Sequence, residues 1–343
     1  MEVSVLLPFV PRRPEQVLPF AGLIKWTRAA RLWQGQSTVI EPFHGFAHSS
    51  GAGFRVPTGI GVALMPLRHP FDAAQMAHSA VLTSGEPMRI AVGPGAAAFQ
   101  KAMLGASYAS PLTAAREYVA IMRGLLDGDQ VDFAGRYYQC HFGLHPMPAP
   151  RVEVGLGVLR PKMAHLVGEI AENVVTWLTS PAYLEGTICP AIKEGAATAS
   201  QRAPSVTTFV PVGLYRPGRN AQELALESAR AHLQGPHYID MLAKAGIQVS
   251  GRPTLEDAQK LIDGGVFLYG RPDRIGRGLD AYAAAGVDEI VLNLTGTCAL
   301  HGLRATVQDL EVLLTHLPQL REQPLSSKPT GSIIPRSTEE KLS

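Results

Sequence analysis

Eight short runs rich in Val and Ile alternate with longer segments of helical period along the whole chain. This alternation is typical of parallel strands joined by helical crossovers, the α/β class. An open doubly wound sheet normally stops at about six strands, so eight runs favour a closed (β/α)8 TIM barrel. The predicted strands cover residues 3–7, 32–33, 56–64, 89–92, 151–155, 173–176, 206–214 and 289–293.

Proline and glycine mark the ends of the predicted helices. Helices are predicted over 14–30, 70–83 and 111–126, each with proline first, because its ring suits the first turn of a helix. Another helix is predicted to begin at Pro161, directly after the fifth strand. The crossovers of the barrel are therefore expected to be helical throughout.

Three segments depart from an even barrel. Residues 34–54 are predicted to form a long loop, and residues 221–262 a long helical insertion. Residues 129–149 are predicted to form a small hairpin that turns at Ala134-Gly135. Insertions after strand ends are where such barrels place substrate specificity. We expect one barrel domain over 1–322 and a flexible tail over 323–343, which is rich in Ser and Pro.

Composition excludes several classes of partner. The chain has 31 Lys and Arg against 29 Asp and Glu, a net charge of +2, and no dense basic block, so no nucleic-acid partner is expected. Three distant cysteines do not form a disulfide framework and fit a reducing compartment. The first residues lack a secretory pattern, and no run approaches about 18 apolar residues, so a cytoplasmic protein without a membrane partner is expected.

Two glycine-containing stretches follow predicted strands. Gly93-Pro94-Gly95 lacks the third glycine and the acidic partner of a dinucleotide site, so either a ligand ring approaches the backbone there or the stretch is an ordinary turn. Gly155 to Lys162 combines small residues, two cations and a proline-initiated helix. That combination predicts a phosphate site, with a solvated turn as the alternative.

Histidine pairs at i,i+4 spacing occur at His44 and His48 and again at His141 and His145. A glycine lies inside each pair, which predicts loops and removes the meaning of the spacing. No metal site is expected, because ligation also needs a third ligand. No Gly-x-Ser-x-Gly elbow is present in the sequence, so nucleophilic hydrolysis is not supported.

Four stretches together resemble the luciferase-like monooxygenase superfamily: VPTGIGVALMPLRHP, RIAVGPG, VEVGLGVLRPKMAHLVGEIAENVVTW and YGRPDRIGRGLDAYAAAGVDEIVLNL. Members of that superfamily are (β/α)8 barrels that use FMN or the deazaflavin coenzyme F420. The resemblance covers nearly the whole chain up to the tail, and it implies an oxidoreductase with one of these cofactors. It also implies a homodimer, since dimers are frequent among its members.

The resemblance also assigns cofactor residues. In deazaflavin-dependent members a bulge on the third strand carries a non-prolyl cis peptide behind the ring, and the matching pair is Gly61-Val62. By the same matching, Gly93 and Gly95 border the cofactor. The loop near its phosphate is Gly157, Val158, Leu159 and Arg160.

The stretch RLWQGQS, residues 31–37, departs from that pattern. Many deazaflavin-dependent dehydrogenases read Trp-x-Ser-Asp-His here, whereas this chain keeps Trp33 but has Gln36 and Ser37 in place of the Asp and His. Ala96 likewise replaces a glutamate that sugar-phosphate dehydrogenases carry. Gln36, Ser37 and Ala96 have no side chain that titrates near neutrality, so alcohol oxidation is not expected. We interpret Gln34, Gln36 and Ser37 as hydrogen-bonding groups for the cofactor ring or a substrate carbonyl.

Hydride delivery from a reduced deazaflavin to an activated C=C or C=N bond needs less from the protein than alcohol oxidation does: orientation, a polarising contact and a proton. RLWQGQS with LMPLRHP and GLGVLRPKMA resembles a branch of reductases that convert dehydroalanine in a lanthipeptide to D-alanine, so a peptide or small-molecule substrate is implied. His69, just past the third strand, is the candidate proton donor, with His44 second. The alternative for His69 is that it starts the next helix.

Two other readings stay open. An FMN-dependent monooxygenase would activate oxygen and need a reductase partner. A barrel that has lost its acid/base residues would instead act as a non-catalytic binding subunit. Binding of F420, of FMN or of neither discriminates these hypotheses.

Overall fold

The computed structural model describes residues 1–317, so the tail predicted over 323–343 lies outside the described residues. Eight parallel strands close into a barrel, which confirms the predicted (β/α)8 fold. The strands are β1 (Glu2–Leu6), β2 (Leu32–Gln34), β3 (Thr58–Leu64), β4 (Met88–Gly93), β5 (Phe133–Ala134), β6 (Gln139–Cys140), β7 (Val152–Gly157), β8 (Asn173–Trp177), β9 (Ser205–Leu214), β10 (Leu268–Gly270) and β11 (Glu289–Asn293). The ring runs β1, β2, β3, β4, β7, β8, β9 and β11, and β11 pairs with β1.

Helices follow the strands and cover the outside of the barrel. They are α1 (Leu18–Trp26), α2 (Pro42–Gly51), α3 (Pro70–Ser84), α4 (Ala97–Leu104), α5 (Pro111–Asp127), α6 (Pro161–Ile170), α7 (Pro181–Tyr183), α8 (Cys189–Thr198), α9 (Ala221–Ala229), α10 (Pro236–Lys244), α11 (Leu255–Asp263), α12 (Pro272–Ala284) and α13 (Thr295–His316). Across residues 1–317, no helix is both long and apolar enough to cross a membrane.

The predicted loop over 34–54 is wrong, because α2 lies inside it. The carboxylate of Glu41 caps this helix by accepting from the Phe43 amide at 2.7 Å, and Pro42 occupies its first turn. A Cβ at Gly45 would come within 3.2 Å of Val17 and 3.4 Å of Gln34. Glycine therefore lets α2 pack closely against the barrel and does not break the helix, so the two histidines of this segment lie on a helix after all.

Three further boundaries differ from the predictions. The helix expected from residue 14 begins as a 3-10 turn (Pro14–Val17), and α1 ends at Trp26 rather than at 30. The insertion over 221–262 is broken into α9, α10 and α11 with a 3-10 turn between the first two. Strand β10 was missed because it has only three residues and pairs solely with the carboxyl end of β9.

The hairpin exists, but its turn lies at 135–138 and not at Ala134-Gly135. Buried Glu117 of α5 accepts hydrogen bonds from the amides of Arg136, Tyr137 and Tyr138 at 2.8, 2.7 and 3.0 Å. A carboxylate from a distant helix therefore decides where this chain reverses.

The inside of the barrel is layered. Its middle layer is apolar and consists of Leu6, Trp33, Ala91, Val175, Phe209 and Val291. Below it, at the amino end, buried Glu289 accepts from the Ser4 hydroxyl at 2.5 Å and from the Trp33 indole at 2.8 Å. Arg31 and Arg89 also pair with Glu289. The amino end is thus closed by packed side chains, as in other barrels of this kind, which leaves the carboxyl end for a ligand.

Candidate active site

Strand β3 carries a bulge at the carboxyl end of the barrel. Its register against β4 shifts between Gly61 and Ala63, so Val62 is an extra residue. The Gly61–Val62 peptide bond is cis, at the position that the resemblance implies. A Cβ at Gly93 would come within 3.1 Å of a Val62 methyl group, and one at Gly157 within 2.9 Å. The Val62 side chain therefore lies between two glycines on neighbouring strands.

These glycines leave the floor of the site almost free of side chains. A Cβ on Gly61 would meet the Phe209 ring at 2.7 Å, so the bulge packs directly on the apolar layer. Gly95, just after β4, has a φ of 71° and so needs glycine. The result is a platform made of Val62 and bare backbone, which a flat ring can approach closely. This arrangement fits the ring of a flavin or deazaflavin.

The loop after β7 is less open to a phosphate than the sequence predicts. The Val158 amide donates to the Val175 carbonyl at 2.8 Å, and the Leu159 carbonyl accepts from the Tyr183 hydroxyl at 3.1 Å. Arg160 is half-exposed, and its Nε lies 2.8 Å from an Asp240 carboxylate oxygen. Arg160 is also the N-cap residue of α6, and within residues 1–317 no side-chain hydrogen bond caps the first turn of that helix. An anion would therefore use the first turn of α6 and the Arg160 side chain, not the Val158 amide.

Two aromatic side chains that sequence reasoning missed lie at the mouth of the barrel. Trp177 is the last residue of β8, and its ring lies 5.4 Å from Phe209. The insertion brings His232 onto the other side, with ring centroids 4.9 Å apart and an interplanar angle of 40°. Tyr238 contacts His232 edge-on at 4.9 Å. Trp177 directly follows the predicted sixth strand and could have been found from that position, whereas nothing in the sequence marked His232.

Both rings present a buried nitrogen without a partner. Within residues 1–317, neither Nε1 of Trp177 nor Nδ1 of His232 has a hydrogen-bond partner. Burial, helped by nearby His237, lowers the pKa of His232 to about 4, so its imidazole is neutral at neutral pH. Buried polar atoms are nearly always hydrogen-bonded, so unpaired ones at the mouth of a barrel point to a ligand.

The last residue of β11 adds another unpaired group. Asn293 Oδ1 accepts from the amide and hydroxyl of Thr295 at 2.9 and 2.6 Å, while its Nδ2 has no partner in the described chain. The buried Thr297 hydroxyl is likewise unpaired among residues 1–317. Strands β8 and β11 thus both end in groups able to bind a ligand.

Gln36 and Ser37 are engaged within their own segment, whereas the buried Oε1 of Gln34 has no hydrogen-bond partner among residues 1–317. Strand side chains alternate, so interior Trp33 places Gln34 outward against α2, where its Nε2 lies 3.4 Å from the Ile40 carbonyl. Gln36 donates to the Ser37 carbonyl at 3.2 Å. The Ser37 hydroxyl donates to the Ile40 carbonyl at 2.8 Å and accepts from the Val39 amide at 3.1 Å. These side chains shape the loop after β2.

The two candidate histidines, His69 and His44, are both exposed. His69 is the N-cap of α3: Nδ1 accepts from the Phe71 amide at 3.2 Å, and Nε2 donates to the Gln139 carbonyl at 3.0 Å. Both of its nitrogens are therefore engaged, which favours the alternative that His69 starts the helix. His44 is exposed on α2. Residues 1–317 contain no group of three metal-ligating side chains.

Curated relatives match part of the chain. A 5,10-methylenetetrahydromethanopterin reductase from Methanolobus tindarius is 26% identical over 215 residues, 56% of this chain and 61% of that protein. An F420-dependent glucose-6-phosphate dehydrogenase from Mycolicibacterium smegmatis is 26% identical over 59% of this chain and 60% of that protein. The chain thus spans about six tenths of the length of these relatives.

Solved structures share the fold over most of the chain. A coenzyme F420-dependent tetrahydromethanopterin reductase from Methanopyrus kandleri aligns with a TM-score of 0.72 at 19% identity, covering 92% of this chain and 100% of the other. An F420-dependent secondary alcohol dehydrogenase aligns with a TM-score of 0.72 at 16% identity, covering 94% of this chain and 99% of the other. A monooxygenase from Streptomyces bottropensis aligns with a TM-score of 0.70 at 14% identity, covering 92% of this chain and 98% of the other.

The family model described as luciferase-like monooxygenase matches residues 6–289, a span that runs from the end of the first barrel strand to the start of the last. With the closed barrel and the bulged third strand, this match establishes the family: the chain belongs to the luciferase-like monooxygenases.

Proposed function

We propose that this chain is an oxidoreductase that uses reduced coenzyme F420 to reduce an activated double bond. The observation that carries the proposal is the platform at the carboxyl end of the barrel, where Val62 lies on a bulge between Gly93 and Gly157. The names of the F420-dependent relatives support this cofactor, and the monooxygenase among the structural neighbours makes FMN the alternative.

The residues present fit such a cofactor. Val62 and the neighbouring backbone of Gly61, Gly93 and Gly95 would back and border its ring. The first turn of α6 and Arg160 would hold its phosphate. When bound, reduced F420 supplies a hydride equivalent. The chain contributes a dry, shaped floor, an orienting contact for the substrate and a route for one proton.

The side chains present favour reduction over alcohol oxidation. Oxidising an alcohol requires a base near neutrality, and Gln36, Ser37 and Ala96 provide none. Because both nitrogens of His69 are engaged, water is the simplest proton source for a reduction. The specific substrate we propose is a dehydroalanine residue of a ribosomal peptide, reduced to D-alanine, on the strength of the resemblance to lanthipeptide reductases.

The test is a titration of the purified protein with F420 and with FMN, followed by the fluorescence of each. We expect tight binding of F420, and then oxidation of F420H2 by a dehydroalanine-containing peptide. Preferential binding of FMN would assign the chain to the monooxygenases instead. Binding of neither would favour a non-catalytic barrel.

A matched pair of glycine variants ties that binding to the platform. Gly157→Ala places a Cβ 2.9 Å from Val62 and should weaken F420 binding. Gly51→Ala is the control, because within residues 1–317 its Cβ would meet nothing within 4 Å beyond its own helical turn and chain neighbours. Equal binding by both variants would place the cofactor elsewhere.

A further inference from the structure

We propose that Trp177 and His232 together bind the carbonyl group of the substrate, and that the substrate is therefore an uncharged unsaturated amide or carbonyl compound. This inference rests on the proposed function, because it names the substrate class of that reaction. It begins with the two unpaired nitrogens at the mouth of the barrel, which belong to different elements and meet only in the folded chain.

The Trp177 indole nitrogen can only donate a hydrogen bond. It is buried, and residues 1–317 offer it no acceptor. Leaving a buried donor unpaired is unfavourable, so a bound acceptor oxygen is the simplest account of its position. Trp33 shows the contrast, since its indole donates to Glu289 at 2.8 Å inside the same barrel.

His232, which stacks against the Trp177 ring, also has a buried nitrogen that a bound ligand could pair. Its ring lies against Trp177 on one face and meets the edge of Tyr238, so two aromatic contacts fix its orientation. Its Nδ1 is buried without a partner in the described part of the chain. A neutral imidazole supplies one donor and one acceptor, so the pair can contact the oxygen and the neighbouring N–H of one amide group.

The charges around this pair favour an uncharged ligand. Arg160 and Lys244 both form ion pairs with Asp240, each at 2.8 Å, and the proposed function assigns Arg160 to the cofactor phosphate, so neither cation is left for a substrate anion. Burial lowers the pKa values of His232 and His237, so both imidazoles are neutral at neutral pH. A carboxylate or phosphate buried here would meet only neutral groups on these rings, whereas an amide loses little on burial once it is hydrogen-bonded.

The location assigns the carbonyl to the substrate. Strands β3, β4 and β7 supply the platform that fits the cofactor ring, whereas Trp177 ends the next strand, β8. His232 comes from the insertion after β9, and insertions at this end of a barrel determine substrate choice. The cofactor ring also carries carbonyl groups, so the experiment must separate the two sources.

The chain has three tryptophans, so an ¹H,¹⁵N spectrum shows three indole signals, and Trp177→Phe identifies the relevant one. The full-length protein is saturated with oxidised F420 and titrated with N-acetyldehydroalanine methylamide, then with the carboxylate N-acetyldehydroalanine. We expect only the Trp177 signal to move, downfield, and to move more with the neutral amide. Exposed Trp26 and bonded Trp33 are internal controls.

Kinetics give a second, independent arm. Trp177→Phe and His232→Phe keep the aromatic contacts and remove the nitrogens. Each should raise KM for the neutral amide about tenfold while leaving the Kd of F420 unchanged, the effect of losing about one neutral hydrogen bond. Trp26→Phe and His48→Phe, both at exposed positions, are the matched controls and should change neither value.

Three results would overturn the inference. A Trp177 signal that moves with F420 alone would assign the N–H to the cofactor. An equal or larger shift with the carboxylate would remove the preference for an uncharged group. No shift, in a protein that nevertheless reduces the amide, would make the pair purely structural. Failure of the proposed function is seen separately, as absence of F420 binding in the fluorescence titration, and the amide titration then tests the contact in the cofactor-free protein.

Discussion

At the amino end of the barrel, a buried carboxylate meets two guanidinium groups, a hydroxyl and an indole, whereas at the carboxyl end an indole, an imidazole and an amide each keep an unpaired atom. Both ends contain a tryptophan from a barrel strand, but only Trp33 has an acceptor within the fold. The amino end is not fully satisfied either: Arg31 Nε and Nη1 and Asn173 Oδ1 lack hydrogen-bond partners among residues 1–317, although Arg31 Nε lies 3.5 Å from Glu289. The two indoles carry the difference: Trp33 is bonded to a charge inside the fold, whereas Trp177 retains a donor for the ligand that we propose.

The largest effect should come from removing the buried charge at the amino end. Glu289→Gln leaves Arg31 and Arg89 without their shared carboxylate and should lower the free energy of unfolding by about 3–5 kcal/mol, as when other buried pairs are broken. Urea unfolding measures this loss. Ser4→Ala, which removes one hydrogen bond to the same carboxylate, is the milder variant if Glu289→Gln does not fold, and should cost about 1–3 kcal/mol. Unchanged stability in both variants would contradict the structural role of this end.

The two ends should also lose stability in different pH ranges. His232 has a pKa lowered to about 4, so the unfolded chain binds its proton first, and stability should fall as pH drops from the ordinary histidine range towards 4. Burial alone would raise the pKa of Glu289, but Arg31 and Arg89 outweigh it and keep that pKa below its ordinary value. The stability that ionised Glu289 contributes is therefore complete above the ordinary glutamate pKa. It is lost as pH falls through the lower pKa that Glu289 has in the folded chain.

Urea unfolding at a series of pH values separates these two ranges. His232→Gln should flatten the upper range and leave the lower one. His48→Gln, at an exposed position of α2, is its control. A His232→Gln protein with the slope of the natural chain would show that His232 is not buried as a neutral group.

A smaller effect is expected at the platform. Gly157→Ala overpacks Val62 and should cost about 1–3 kcal/mol, a loss that we expect in F420 binding more than in unfolding. Measuring both the Kd of F420 and the urea midpoint of unfolding for Gly157→Ala shows how the loss divides between binding and stability. A drop in stability without a change in Kd would show that the glycines serve packing alone.

The smallest effect is expected at Arg160. Because this side chain is half-exposed and already paired with Asp240, Arg160→Gln should weaken F420 binding by about 1 kcal/mol, more at low salt than at high salt. Fluorescence titration at two ionic strengths measures this loss. Asp240→Asn frees the guanidinium and should change binding in the opposite direction, and a loss of affinity in both variants would mean that Asp240 positions Arg160.

Most of the architecture was predictable because it depends on local patterns. Short runs rich in Val and Ile, alternating with segments of helical period, identified the eight barrel strands, and proline-initiated helices followed at Pro70, Pro111 and Pro161. The misjudged elements are those that distant contacts decide. Gly45 looked like a break but allows α2 to pack on the barrel, and Glu117 shifts the hairpin turn from another helix.

The candidate site divides in the same way. The sequence alone determined the (β/α)8 class, because the alternation of strand and helix patterns is read directly from the chain, and its resemblance to the family assigned Gly61-Val62, Gly93 and Gly157 to the cofactor. Tertiary structure then brought both glycines against Val62. Tertiary structure decided which polar groups face the ligand: it engaged Gln36, Ser37 and His69 in local hydrogen bonds and brought His232 onto Trp177. The physical reason is that a hydrogen bond or a desolvated ring depends on neighbours in space, and residues 177 and 232 become neighbours only when the insertion folds over the barrel mouth.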